Sequence, residues 1–163
     1  MTATDPVDLL RGAGLRVTQQ RVAVLGALAE HPHADTETIA GAARLALGAV
    51  STQAVYDVLR ALTDARLARR IEPAGSPARF ELRVGDNHHH LVCRACARVV
   101  DVDCAVGERP CLTASDSQGF VIDEAEVTWW GVCADCADDP DLDPNLQQNL
   151  QQNYATATSK GNP

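Results

Sequence analysis

Four of the six cysteines form two pairs, each with two residues between its cysteines. Cys93 and Cys96 form the first C-x-x-C motif, and Cys133 and Cys136 form the second, with 36 residues between the two motifs. Two such turns can complete the closed four-sulfur shell that zinc favours, so we predict a structural Zn²⁺ site. A redox-active cysteine pair is the alternative, but it would be expected in a thioredoxin-like βαβ unit, which the sequence does not indicate.

Three consecutive histidines precede the first cysteine pair. Alternate residues of a strand share a face, so His88 and His90 are expected to point together and His89 away. Glu81 and Asp101 offer carboxylates nearby. Imidazoles with carboxylates suit Fe²⁺, Mn²⁺ or Zn²⁺. The histidines could equally be ordinary core or surface residues, and their pattern leaves both interpretations open.

The first 65 residues carry the start signals and periodicity of four helices, with capping residues at Asp5, Thr18, Asp35 or Thr36, and Ser51. The fourth helix is the clearest, because apolar residues recur at helical spacing at Val55, Val58, Leu59 and Leu62. Its opposite face carries polar side chains that can reach outward: Thr52, Gln53, Tyr56, Asp57 and Arg60.

Two short strands follow, Leu67 to Ile71 and Ala78 to Leu82, with a turn rich in proline and glycine between them. Arginines surround this hairpin at Arg66, Arg69, Arg70 and Arg79. Helices followed by a basic hairpin predict a winged helix-turn-helix. The fourth helix would enter the major groove of double-stranded DNA while the hairpin contacts phosphate. Taken alone, the arginines could be only a solvated face.

The second half has a different character. We expect strands at His88 to Cys93, Arg98 to Val102, Phe120 to Ile122 and Glu126 to Trp130. After Ala137 the composition is mostly Asp, Pro, Asn, Gln and Ser, which is typical of disorder. The sequence therefore predicts an α+β protein with a winged-helix DNA-binding domain over 1–84, a metal-binding α/β domain over 85–137 and a disordered tail over 138–163.

Charge is unevenly distributed along the 163 residues. The net charge of −8 argues against a nucleic-acid partner, but residues 11–83 hold 10 arginines against 7 acidic residues. The acidic excess lies in the second half. No apolar stretch reaches the roughly 18 residues of a membrane span, and Asp5 and Asp8 stand where a signal peptide would be basic. We therefore expect a cytoplasmic protein with no membrane partner.

Five motifs, in order along the chain, resemble those of the ferric uptake regulator family over about residues 7 to 137. They are Gly14 to Arg21, Ser51 to Tyr56, Arg79 to Leu82, His88 to Cys96 and Gly131 to Cys136. The stretch from Cys104 to Cys111, in a chain rich in arginine and nearly free of lysine, is most similar to the actinobacterial branch that represses catalase genes in response to peroxide.

The resemblance implies a metal-dependent repressor that is not an enzyme and that binds a palindromic operator as a homodimer, through a winged-helix domain joined to an α/β dimerisation domain. Cys93, Cys96, Cys133 and Cys136, which lie in two C-x-x-C turns called knuckles below, would hold structural Zn²⁺. A regulatory Fe²⁺ or Mn²⁺ would bind His33, Glu81, His88, His90 and Asp101. Tyr56 matches a DNA-contacting tyrosine, and Arg16 a residue that reaches the minor groove. With the pattern above, the expected DNA-binding residues are Arg16, Thr52, Gln53, Tyr56, Arg60, Arg69 and Arg70.

Some positions depart from the family. Ala125 and Asn87 are poor ligands, so we expect no third metal site, and Glu81 stands where well-known peroxide sensors carry aspartate. A zinc-uptake or iron-uptake repressor with the same ligands is the nearest alternative. More distant alternatives are a small zinc hydrolase with Glu81 as base, and a purely structural zinc module that joins partners.

Overall fold

The computed structural model of the chain describes residues 5–72, 76–83, 88–103, 114–122, 125 and 127–159, the last seven of them without their side chains. It divides into two compact units, Met1–Asp86 and Asn87–Pro163. The expected boundary after residue 84 and the thiols of Cys104 and Cys111 lie outside the described residues. Within the described part, no helix is both long and apolar enough to span a bilayer.

Four helices form most of the first unit: α1 (Pro6–Gly12), α2 (Gln19–Glu30), α3 (Thr36–Leu47) and α4 (Thr52–Asp64). Each begins at an N-cap whose side-chain oxygen accepts a backbone N–H, and these caps are Asp5, Thr18, Asp35 and Ser51. Such a cap satisfies one of the donors that a helix start leaves unpaired. The helix starts predicted from the sequence are confirmed.

The helices pack around a single apolar cluster in this unit. Val55, Leu59 and Leu62 of α4 are each at most 1% exposed, and Val58 packs against the cluster from its edge. From the other helices come Leu10, Val24, Leu25, Leu28, Ile39, Ala40 and Ala43. Because one face of α4 is buried here, its opposite face is left on the surface.

A three-stranded antiparallel sheet completes the first unit. It contains β1 (Ala34–Asp35), β2 (Ala68–Ile71) and β3 (Arg79–Leu82) in the order β1-β3-β2. The β2–β3 hairpin is the predicted wing, and Phe80 buries its ring in the core. The sequence did not indicate β1, which is too short to show alternation; it pairs with β3 at Ala34 opposite Phe80.

The second unit is built on a mixed sheet. Its strands are β4 (His88–Cys93), β5 (Val99–Asp103) and β6 (Thr128–Gly131), in the order β5-β4-β6. The β4 and β5 strands form an antiparallel hairpin, whereas β6 runs parallel to β4. Parallel neighbours need a long connection. This explains why the two cysteine pairs are so far apart in sequence.

The predicted strand at Phe120 to Ile122 is wrong. These residues are irregular, and Phe120 and Val121 are 76% and 97% exposed. Their β-branched and aromatic side chains favour a strand. However, propensity forms a strand only where another strand pairs with it, and within the described residues none pairs with 120–122.

The tail also differs from the predicted disorder. A short helix, α5 (Ala134–Ala137), leads to α6 (Pro144–Ser159). Pro144 occupies the first helical position, and the Asp143 carboxylate accepts from the backbone N–H of Asn145 at 2.7 Å. Leu142 is buried, and Leu146 and Leu150, at steps of four residues, are half-buried. A good cap and an apolar stripe therefore form a helix from a polar composition.

Candidate metal centres and nucleic-acid interface

The four knuckle cysteines come together within the second unit. One sulfur atom from each of Cys93, Cys96, Cys133 and Cys136 lies within 4.8 Å of all the others, and the Cys96 and Cys133 sulfurs are 3.9 Å apart. Sulfurs at the corners of a zinc tetrahedron are about 3.8 Å apart, given Zn–S bonds of about 2.3 Å. The donor set and its spacing therefore fit Zn²⁺, and four thiolates close the shell.

Two sheet features position these sulfurs. The β4–β5 hairpin turns at Arg94 to Cys96 and is closed by the backbone N–H of Cys93, which donates to the Arg98 carbonyl at 2.9 Å. The β4–β6 register sets Cys93 opposite Gly131, two residues before Cys133. Cys133 is the N-cap of α5, so the first turn of that helix carries Cys136 back toward the same point.

The cysteine sulfurs also affect one another electrostatically. Burial raises the pKa of Cys93, but backbone N–H groups of Cys96, Cys133 and Ala95 donate to its sulfur and bring the pKa down to about 6. The neighbouring Cys133 and Cys96 thiols raise the pKa of Cys136 to about 12. Thiolates held this close repel one another, and a divalent cation removes that repulsion.

The first unit holds one part of the histidine and carboxylate set. The His33 Nε2 atom lies 2.8 Å from the Glu81 carboxylate, and both side chains are at most 10% exposed. His33 has φ of 60°, in the left-handed region that a residue other than glycine rarely adopts. The Arg79 guanidinium donates to the His33 carbonyl at 3.4 Å. Strain of this kind is typical of positions held for function.

The second unit holds the other part. His88 and His90 approach the same Asp101 oxygen, with Nε2 to Oδ1 distances of 3.8 and 3.6 Å. His90 is fully buried and lies directly opposite Asp101 in the β4–β5 register. His89 points to the other face, where its ring meets Trp129 edge-on and its Nδ1 accepts from the Val127 N–H. The sequence pattern predicted this division of the three histidines.

Both parts carry donors that could hold a metal ion: His33 and Glu81 in the first unit, His90 and Asp101 in the second, with His88 beside them. All are nitrogen or carboxylate oxygen donors, in contrast to the four sulfurs. Donors of these types suit Fe²⁺, Mn²⁺ or Zn²⁺.

The outward face of α4 is the candidate DNA-reading surface. Gln53, Tyr56, Asp57 and Arg60 are exposed, and they line a groove of about 830 Å³ that Arg70 of the hairpin also lines. Thr52, one turn before Tyr56, is half-buried. Its hydroxyl accepts from the Arg44 guanidinium at 2.7 Å, which ties the start of α4 to α3.

The wing arginines are placed differently from one another. Arg70 is 53% exposed and pairs with Glu72, so its guanidinium lies on the surface. Arg69 points the other way, with its guanidinium 3.7 Å from Glu81 and only 10% exposed. The expectation that Arg69 faces DNA is therefore corrected, because strand alternation turns it toward the metal-ligand side. Arg16 is exposed, and its carbonyl accepts from the Arg21 guanidinium at 2.8 Å.

Two features that position His33 could not be predicted from the sequence. The β1 strand anchors the residue after His33, and Arg79, counted only as a wing charge, holds the His33 carbonyl. Neither has a sequence signal, since a two-residue strand shows no periodicity and a side chain that bonds a carbonyl 46 residues away shows no spacing.

Residues 12–129 match the ferric uptake regulator family. The chain is 67% identical to the transcriptional regulator FurA of Mycobacterium tuberculosis over 82% of its own length and 90% of the relative's. It is 60% identical to ferric uptake regulation protein 1 of Mycolicibacterium fortuitum, over 77% and 78% of the two lengths. The solved structure of the ferric uptake regulator from Pseudomonas aeruginosa with manganese is 26% identical and covers 80% of this chain and 99% of that one, with a TM-score of 0.61.

The match spans both units, from before α2 to within β6, and includes all the histidine and carboxylate donors described above together with the first cysteine pair. Members of the family are metal-responsive, DNA-binding transcriptional regulators rather than enzymes. This agrees with a winged helix joined to a unit that carries metal donors, and the chain belongs to the ferric uptake regulator family.

Proposed function

We propose that the chain is a homodimeric repressor that binds a palindromic operator in cytoplasmic DNA when a regulatory divalent ion is bound. The observation that carries this proposal is the division of the nitrogen and oxygen donors. His33 and Glu81 belong to the DNA-binding unit, whereas His88, His90 and Asp101 belong to the other. One ion shared by both parts would restrict the relative motion of the two units.

His33 connects the bound ion to the helix that is expected to read DNA. His33 directly precedes β1, which is followed by the N-cap of α3, so a ligand bond at His33 acts on the helical core that carries α4. Holding α4 in one orientation lowers the entropy lost when DNA binds. Metal and DNA would then bind with positive coupling, typically about 1 to 3 kcal/mol in either direction.

The second unit supports the homodimer. Leu91, Val100 and Trp129 are neighbours in the sheet register, and each is between 42% and 46% exposed. An apolar strip across the middle of a sheet is unfavourable in water, and a second copy can bury it. A two-fold dimer presents two α4 helices, as two half-sites of a palindrome require.

We propose Fe²⁺ or Mn²⁺ as the regulatory ion and iron homeostasis or oxidative-stress defence, including catalase genes, as the output. The name of the Mycolicibacterium fortuitum relative refers to ferric uptake, which supports the iron option. Sites made of nitrogen and oxygen donors bind Zn²⁺ more tightly than Fe²⁺, so the ion bound in the cell depends on which metal is available. A zinc-uptake repressor is therefore the alternative.

A peroxide response fits the same residues. Bound Fe²⁺ would supply the reduction of hydrogen peroxide next to the rings of His88 and His90. One peroxide oxygen then replaces a ring C–H hydrogen and the other leaves as water, so the ring becomes a poorer ligand. A weaker ligand holds the ion less tightly, and the ion would be released.

The test uses the full-length protein with its zinc retained. DNA affinity, measured by fluorescence anisotropy on a duplex selected from a random library, should rise roughly 5- to 150-fold when Mn²⁺ or anaerobic Fe²⁺ is added. Affinity that does not respond to either ion overturns the metal switch. After peroxide treatment, mass spectra should show one added oxygen on the peptide holding His88 to His90 with Fe²⁺ but not with Mn²⁺.

A further inference from the structure

Asp57 places a negative charge on the helix face that the proposed function assigns to DNA. It lies in the second turn of α4, between the exposed side chains of Tyr56 and Arg60, and it lines the groove beside the wing. Buried contacts do not account for it, because the packed side of α4 consists of Val55, Leu59 and Leu62. A carboxylate at this position repels phosphate and lowers non-specific affinity.

The carboxylate is held in one orientation. The amide nitrogen of Gln53, one turn earlier, donates to Asp57 Oδ1 at 3.1 Å. This bond engages Oδ1, so Oδ2 is available as an acceptor on the exposed face of α4. No other acidic side chain lies between Gln53 and Arg60 on this face. An oriented carboxylate has lost part of the side-chain freedom that a base contact would otherwise cost.

Among the groups on a base edge, that oxygen can pair only with a hydrogen-bond donor. The major groove offers two amino donors, N4 of cytosine and N6 of adenine. Adenine carries the acceptor N7 beside its amino group, and this lone pair repels a carboxylate. Cytosine has a C–H group at the corresponding side. Guanine and thymine present acceptors, which an ionised carboxylate also repels.

We propose that Asp57 is a specificity-determining residue that selects a cytosine, paired with guanine, at one position of each operator half-site. This inference rests on the proposed entry of α4 into the major groove. Gln53 acts as the positioning residue for the carboxylate. In a homodimer the preference appears twice, at positions related by the two-fold axis of the operator.

Sequence selection from a randomised duplex library tests the proposal with full-length protein loaded with Zn²⁺ and Mn²⁺. Wild-type protein should enrich a two-fold symmetric motif with cytosine at one position of each half. D57N should lose that cytosine and favour adenine there, because an asparagine amide pairs with N6 and N7 of adenine. On the wild-type duplex, D57N should lose about tenfold of the discrimination between cytosine and thymine at that position.

D64N is the matched control, since Asp64 is an exposed aspartate at the last position of the same helix. It should select the wild-type motif, and so should Q53A, with a weaker cytosine preference. Identical motifs for wild type and D57N, or tighter binding of D57N to every duplex alike, would overturn the role of Asp57 while leaving the repressor intact. If wild-type protein enriches no motif at all, the proposed function fails as well.

Discussion

The two sets of metal donors differ in how the chain assembles them. The four cysteines all belong to the second unit, and two knuckles fixed by one sheet bring their sulfurs within 4.8 Å of one another. The nitrogen and oxygen donors are divided, with His33 and Glu81 on one unit and His90 and Asp101 on the other. A closed shell within one unit stabilises that unit, whereas a divided shell can respond to conditions. Under the proposed function, this difference distinguishes the structural ion from the regulatory one.

The largest expected effect comes from breaking the sulfur site. C93S removes a ligand that is 5% exposed, and a hydroxyl in its place does not replace a thiolate. Because binding of structural zinc contributes to folding, we expect loss of zinc and loss of cooperative unfolding of the second unit. Metal analysis and thermal unfolding followed by circular dichroism measure both. C111S, outside the zinc pattern, is the control, and zinc retained in C93S would contradict the assignment.

Removing one of the nitrogen and oxygen donors should leave the fold intact and abolish only the gain in DNA affinity on metal binding. H33A should retain zinc and its thermal midpoint, yet lose the roughly 5- to 150-fold gain in DNA affinity on adding Mn²⁺. The matched control is H31A, because His31 lies in the same loop and is exposed. Anisotropy titrations with and without Mn²⁺ measure the gain. A full gain in H33A would show that the ion does not bridge the units.

The two sites should also differ in how easily they lose metal. Dialysis against a carboxylate chelator should remove Mn²⁺ completely and leave the zinc content unchanged, because four thiolates in one rigid shell bind zinc more tightly than a divided shell binds Mn²⁺. Metal analysis before and after dialysis measures this. Zinc lost at the same rate as Mn²⁺ would remove the distinction between a structural and a regulatory ion.

The smallest effect is expected at the rim of the sulfur site. Arg98 and Asp135 form an ion pair at 3.0 Å across the two knuckles, but their side chains are 58% and 81% exposed. Exposed pairs contribute about 0 to 1 kcal/mol, because water and salt screen them. R98A should therefore keep zinc content and thermal midpoint nearly unchanged. A marked loss of zinc would show that the knuckles depend on this bridge and not on the sheet.

Much of the first unit was readable because its signals are local. A capping side chain bonds a backbone N–H two or three residues later, so it indicates where a helix begins, as Ser51 does for α4. An apolar stripe indicates the buried face of the helix. The same reasoning failed where the outcome depends on distant neighbours. Phe120 to Ile122 have strand propensity but no described partner strand, and Arg69 turns to Glu81 on the neighbouring strand. The prediction for the tail differed from the structure for another reason. The composition suggested disorder, but Asp143 accepts a hydrogen bond at the start of a helix.

By itself, the sequence determined the donor types, the helix starts and the division of the three histidines between two faces. These depend on residue chemistry and on backbone periods of two or 3.6 residues, which act over short distances. Only the tertiary structure decided that the parallel β4–β6 register sets Cys93 opposite Gly131, that β1 and Arg79 hold His33, and that Arg69 leaves the DNA-facing set. Each depends on strand pairing or contacts between residues far apart in the chain, whose free energy is gained only once the whole core has formed.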